Sequence, residues 1–286
     1  MPSIRPCESC ANCCFRKTGL SFPAVNEIAM PSAISIGLGG IAGWRVLQRI
    51  ETRQVEATAR DPVVQRATTY FRDNLTQDTT AEDLVGDYKM LQVALGAFGL
   101  GEDIANKAFI RKVLESDLGD KASLVNRLSD KRYLKLAREF QARGDDPAAT
   151  GQAMTQAYVQ QQFQKRVGDG DESYRLAINA RNELREFATR SSSDKTLWYE
   201  VLGSEPLRKV FQGAFGFGNA IGNLSVDRQL EDFMSASERV LGSSSFSRIG
   251  TDETIDRLVT RYLALSQIQT ATGSNRYSAA LALLSR

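Results

Sequence analysis

Two stretches decide the fold: VALGAFGLGED, Val93 to Asp103, and its near copy VFQGAFGFGNA, Val210 to Ala220. A glycine-rich run of this kind either cradles a phosphate or ends a helix. A cradle needs a strand before the glycines and a helix after them, so that free N–H groups point at the anion. Here the residues ahead of the first run, Met90, Leu91, Ala94 and Leu95, are apolar at helical spacing. GAFGLG also matches neither GxGxxG nor GxxxxGK[ST]. The reading is a helix–turn–helix elbow used twice. Gly99 and Gly216 are expected at positive φ where each helix stops, and Phe98 and Phe215 are expected to pin the turns. Gly96, Gly101, Gly213 and Gly218 complete the two structural elbows.

The copy extends past the hexapeptide. Setting Val93 on Val210 gives an offset of 117 residues, at which Gly86, Ile104, Asn106 and Arg111 meet Gly203, Ile221, Asn223 and Arg228. Leu84 to Arg111 holds ten identities, where composition alone gives roughly two. Arg132-Tyr133-Leu134 and Arg261-Tyr262-Leu263 continue the match at an offset of 129. That shift implies about twelve extra residues in the second copy, in the Ser-rich stretch around Gly242 to Ser247.

Outward from the elbows the apolar spacing stays at three or four, which predicts an all-α protein, a multi-helix bundle of two related repeats. Asp61-Pro62 reads as an N-cap followed by proline at the first helical position, and Thr80 with Asp83 as a capping box. The Gly144-Asp-Asp-Pro147 stretch is the internal boundary, between a first repeat at 30–143 and a second at 151–271 packed on it. Thr272-Gly-Ser-Asn275 reads as a breaker that leaves 272–286 as a flexible tail with an apolar tip. Residues 1–29 have no periodicity and precede Met30-Pro31, so they read as a disordered extension or a mis-assigned start.

Composition removes several functions. Among 286 residues there is no histidine, which excludes a Ser-His-Asp triad and His-liganded metal. All four cysteines, Cys7, Cys10, Cys13 and Cys14, fall in the first 14 residues, so the body has no thiol chemistry. They are low-ranking metal candidates, because adjacent cysteines ligate one ion poorly. A formal net charge of +2 without long like-charge blocks gives no footprint for nucleic acid. No apolar run reaches the length of a membrane span, and no secretory signal precedes the body. No cofactor is expected.

Other candidates rank as structural. Glu102 and Asp103 could pair for acid–base work, but acidic residues in a first helical turn are favoured by the dipole alone. Arg111 and Arg228 are expected on helix-end carbonyls or a carboxylate within each repeat, and Trp198-Tyr199 in the core. Two apolar ends are expected to dock, on this chain's body or on a partner helix: Ile34–Trp44 around Trp44, and Ser278–Leu284 with Leu281, Leu283 and Leu284.

Gly40-Ile-Ala-Gly-Trp44-Arg-Val-Leu-Gln-Arg49, Thr79–Gly86, Ala94–Leu100, Asp130–Tyr133 and Ser278–Leu284 together resemble an alphaproteobacterial family of unknown function whose genes are often found among flagellar genes. The resemblance runs from about residue 37 to the C-terminus. It implies a bacterial, flagellum-associated protein without enzyme activity, whose partners are other flagellar or assembly proteins. A cytoplasmic assembly chaperone or regulator is the alternative, and an enzyme using only Asp, Glu, Lys or Arg is the rival from another class.

Overall fold

Short-range capping places the helices. In the computed structural model the helices, in order, are α1 (Gly40–Arg60), α2 (Pro62–Asn74), α3 (Ala81–Gly86), α4 (Tyr88–Ala97), a 3-10 helix (Gly101–Ala105) and α5 (Lys107–Leu114). Then come α6 (Leu124–Arg127), α7 (Arg132–Ala142), α8 (Pro147–Gly170), α9 (Glu172–Thr189), α10 (Asp194–Gly203) and α11 (Glu205–Phe215). A second 3-10 helix (Asn219–Asn223), α12 (Val226–Leu241), α13 (Phe246–Ile249) and α14 (Asp252–Leu284) complete the chain. The structure describes residues 34, 36, 37 and 39–284, with side chains as far as Ile268 apart from that of Asn219, and the described residues hold no β-strand. The fold is all-α, as the spacing predicts.

The caps at Asp61 and Thr80 fall where the sequence puts them. Asp61 accepts from the Val63 amide ahead of Pro62, Thr80 and Asp83 form the reciprocal capping box, and Asp87 accepts from the Lys89 and Met90 amides. Asp146, Asp171, Ser193 and Ser225 do the same for α8, α9, α10 and α12. Each satisfies donors that the helix itself leaves orphaned.

Packing gathers most of the buried apolar side chains into two cores, with a small third cluster of Val113, Val125 and Ala137 where α5, α6 and α7 meet. The first gathers Phe71 of α2, Leu84 of α3, Leu91 and Leu95 of α4, Ile110 of α5, Phe140 of α7, and Met154 and Tyr158 of α8. The second gathers Trp44 and Leu47 of α1, Phe163 and Val167 of α8, Leu184 of α9, Trp198 of α10, Phe211 of α11, Phe233 of α12 and Leu258 of α14. The same neighbours recur in both: α4 packs on α2, α3 and α8, and α11 on α9, α10 and α14.

This arrangement corrects the domain boundaries. The Gly144–Pro147 stretch only joins α7 to α8, and α8 belongs to both cores. At 24 residues it is about 36 Å long, so its leading half closes the first core while Phe163 and Val167 enter the second. α1 lies within the 30–143 segment read as the first repeat, yet Trp44 and Leu47 are buried in the second core. The tail at 272–286 is corrected too, since the α14 backbone stays helical through Thr272–Asn275 to Leu284. A lone glycine within a helix costs only about 1 kcal/mol, and no proline is there to break it. Residues 1–29, with Cys7, Cys10, Cys13 and Cys14, and the side chains of Leu281, Leu283 and Leu284 lie outside the described part of the structure.

Candidate functional site

Both GAFG stretches end a helix and close it in the same way. At the first, Leu100 N donates to Leu95 O at 2.9 Å and Gly99 N to Gly96 O at 3.3 Å, with Gly99 at φ 68°. At the second, Phe217 N donates to Gln212 O at 2.9 Å and Gly216 N to Gly213 O at 3.2 Å, with Gly216 at φ 74°. These paired bonds, six residues back to one and five back to two, make each turn a Schellman motif. The amides that a phosphate would need are therefore donated to the chain's own carbonyls.

The remaining elbow residues have unequal reasons for being what they are. A Cβ on Gly96 would lie 2.7 Å from Tyr158 Cε2, and one on Gly213 would lie 2.8 Å from Tyr262 Cδ2. Glycine there lets a tyrosine ring rest on the backbone of α4 and of α11. Nothing requires glycine at Gly101 or Gly218, where a Cβ would meet nothing within 4 Å and φ is not positive. Phe215 is buried, but Phe98 only half so, and the deep anchor of the first turn is Leu100.

Two residues that the sequence matched hold the turns without being equivalent in packing. Arg132 of α7 donates from Nη1 to Gly99 O at 2.7 Å, and Arg261 of α14 donates from Nε to Ala214 O at 2.7 Å. Their neighbours part company: Tyr133 donates to Asp103 at 2.7 Å, while Tyr262 covers Gly213. The counterpart of Tyr262 is Tyr158. Measured this way the second unit is the shorter one, because Tyr158 follows Gly96 by 62 residues and Tyr262 follows Gly213 by 49. The longer stretch by this count is therefore the first, and α6 and α7 lie within it. Burial first, then the Asp103 carboxylate, pushes the Tyr133 phenol up to about 12, and burial followed by Glu172 and Asp171 does the same for Tyr262. Both phenols stay neutral.

The other candidates are accounted for by internal contacts. Asp103 accepts from Tyr133 and from Asn106 at 3.0 Å, and Glu102 is exposed. Arg111 pairs with Glu82 and Glu115, and Arg228 with Glu231 and Asp232, so each meets carboxylates of its own repeat. They are not equivalent positions, for Arg111 is the fifth residue of α5 and Arg228 the third of α12. Trp198 is fully buried and donates to Ser244 O at 2.8 Å, whereas Tyr199 is half-exposed and bonded to Asp227. Trp44, read as a partner-docking residue, is spent inside the molecule: it stacks on Tyr174 at 6.4 Å with Arg181 over its ring. Its burial within the second core corrects the partner reading.

Sequence reasoning missed two ion pairs that tie α1 to α9 and α8, the first beside Trp44 and the second at the opposite end of α1. Arg181 of α9 pairs with Glu51 of α1, and Arg166 of α8 with Asp61 at 2.7 Å, all four side chains largely buried. It also missed Glu183, on α9 opposite Arg132 and Lys135 of α7. Burial pushes the Glu183 carboxyl above the ordinary range, against the Asn179 hydrogen bond and the two cations that favour its charge, while Glu186 adds to the rise. Partners this far apart in sequence leave no local signature. A shallow groove of about 240 Å³ beside Ile34, Ile36, Gly39, Asp171 and Tyr174 is smaller than the roughly 300–1,000 Å³ of small-molecule pockets. Among the described residues no group of carboxylates or thiols is spaced to hold a metal ion.

The fold and these turns define an all-α protein of two interlocked cores, each organised on a glycine elbow that a buried tyrosine covers. Residues 97–238, just under half of the chain, match the model of a family described as a protein of unknown function (DUF1217). That segment opens at the first elbow and runs through the second. The crystal structure of protein AGR_C_984 from Agrobacterium tumefaciens is similar with a TM-score of 0.65 and 23% identity, over 84% of this chain and 97% of that one. This likeness shows the helical fold. No curated protein matches the chain. Among the described residues no helix is long and apolar enough to cross a membrane.

Proposed function

We propose that this chain is a non-enzymatic helical protein of the bacterial flagellum, acting through protein contacts in its assembly or structure. The observation that carries the reading is the commitment of the two glycine turns. Their amides are donated within the chain, and their arginines and tyrosines are held by carbonyls, a carboxylate and packing. The sequence motif with the strongest claim to small-molecule chemistry is thereby used in architecture. The flagellar context rests on the resemblance of Gly40–Arg49, Thr79–Gly86, Ala94–Leu100, Asp130–Tyr133 and Ser278–Leu284 described above. A clean deletion assayed for swimming tests it: loss of motility restored by the gene supports the reading, and unchanged motility sinks it. Tagged protein recovered with basal bodies or in culture supernatant supports a structural part, while strict recovery from cytosol supports an assembly chaperone.

A further inference from the structure

Helix α1 has two unlike faces. Inward it buries Trp44 and Leu47 in the second core, and Glu51 is drawn to Arg181 of α9. Outward it shows Arg45, Arg49 and Arg53, all exposed. Residues four apart share a helix face at intervals of about 6 Å, so these three form one row. None of them makes an ion pair or a hydrogen bond among the described residues. The two carboxylates of α1 are both engaged, Glu51 by Arg181 and Glu56 by Arg60 at 3.3 Å.

Such a row works against the fold. Like charges four residues apart on a helix repel, and α1 meets this twice, between Arg45 and Arg49 and again between Arg49 and Arg53. Its first turn holds no acidic residue to offset them. Elsewhere the chain avoids the conflict, since Arg111, Arg228 and Arg257 each meet a carboxylate three or four residues away. The surroundings of the row select its partner. Beside the arginines α1 exposes Ala42, Gln48 and Thr52, and none of the large exposed apolar or aromatic side chains among the described residues is on this helix. A helix that lies on a membrane needs such side chains to enter the lipid, and single-stranded nucleic acid needs aromatic platforms. A second helix needs neither. Carboxylates at every fourth position repeat at the same interval of about 6 Å, and a guanidinium holds a carboxylate through two parallel hydrogen bonds.

We propose that the outward face of α1 docks an acidic helix of a partner protein, which presents carboxylates at every fourth position to Arg45, Arg49 and Arg53. The inward face keeps the row in a fixed orientation, through Trp44, Leu47 and the pairing of Glu51 with Arg181. The proposal rests on the protein-contact reading and names both the surface and the chemistry of the partner.

The probe is a labelled alanine-based helical peptide with glutamate at every fourth position, titrated by fluorescence anisotropy into the full chain at low salt. Saturable binding is expected, tighter by roughly tenfold or more than that of a peptide with the same composition whose glutamates are spread around the helix. Arg45→Gln/Arg49→Gln/Arg53→Gln should weaken it by roughly tenfold or more. Arg127→Gln/Arg138→Gln/Arg239→Gln removes the same charge at exposed positions on other helices and should bind as the wild type does. Because the row is repulsive, the α1 variant should keep its helicity and match or exceed the wild type in urea midpoint. A lower midpoint would show that the arginines serve the fold, and would overturn the proposal. Equal binding by the two variants, equal binding of the two peptides, or no saturable binding at millimolar peptide overturns it as well. Vesicles of equal parts phosphatidylcholine and phosphatidylglycerol, or a DNA duplex, are the other probes. Either one held more tightly than the peptide through the same three arginines would make the occupant a membrane or a nucleic acid and overturn the acidic helix. The titration decides this surface whether or not the deletion strain swims, so the docking and flagellar readings fail separately.

Discussion

Gly96→Ala is the substitution that tests the packing of the elbows most sharply, because two opposed effects act on one methyl group. Gly96 lies within α4, where alanine in place of glycine favours the helix by about 0.5–1 kcal/mol. The added Cβ would sit 2.7 Å from Tyr158 Cε2, and Tyr158 is 5% exposed, so the ring has little room to retreat. Overpacking of a filled core costs about 1–3 kcal/mol. The clash outweighs the propensity, and Gly96→Ala should lower stability by about 0.5–2 kcal/mol. In a Tyr158→Ala background, itself destabilised by about 3–5 kcal/mol, the obstacle is gone and Gly96→Ala should raise stability by about 0.5–1 kcal/mol. Urea denaturation of the four chains gives the double-mutant cycle. The coupling should be about 1 kcal/mol or more, with a reversal of sign. An equal effect of Gly96→Ala in both backgrounds would refute the reasoning, as would a stabilised single variant. Gly213→Ala, whose added Cβ would sit 2.8 Å from Tyr262 Cδ2, should reverse in the same way in a Tyr262→Ala background.

Gly99→Ala and Gly216→Ala act through the backbone alone, since a Cβ there meets only ordinary contact or open space while φ is positive. Each should cost about 1 kcal/mol, read as a lower urea midpoint, and neither should create or abolish binding of ATP, GTP or NAD. Glu183→Gln should change the pH dependence of stability. The raised folded pKa means that protonated Glu183 favours the fold, a contribution present below the unfolded pKa and lost as pH rises through the folded one. The variant should therefore exceed the wild type in urea midpoint at pH 8 and lose that advantage at pH 4; a less stable variant at pH 8 would contradict the assignment. Arg181→Ala leaves Glu51 buried without its cation and should cost about 3–5 kcal/mol, whereas Arg181→Met with Glu51→Leu should recover most of it. Equal losses in the single and double variants would show that the pair itself stabilises the fold.

How much could be read from the chain alone follows from distance along it. Helix starts were legible because a cap is written within four residues: Asp61 before Pro62, and Thr80 with Asp83. The left-handed glycines Gly99 and Gly216 were legible for the same reason, since a turn that ends a helix satisfies its amides within six residues. The likeness of the two glycine stretches, too, is a property of sequence, and the reading built on it pointed to Arg132 and Arg261 as a matched pair. Packing alone settled which tyrosine belongs with which glycine. Tyr262 follows Arg261 just as Tyr133 follows Arg132, yet its partner in the fold is Tyr158, because α8 and α14, not α7, lie against α4 and α11. Packing also placed Trp44 in the far core, divided α8 between two cores, and joined Glu51 to Arg181 across 130 positions of chain. Local rules act through the backbone of a few residues. Which distant faces meet depends on how all the apolar stripes are buried at once, and no short stretch of sequence contains that condition.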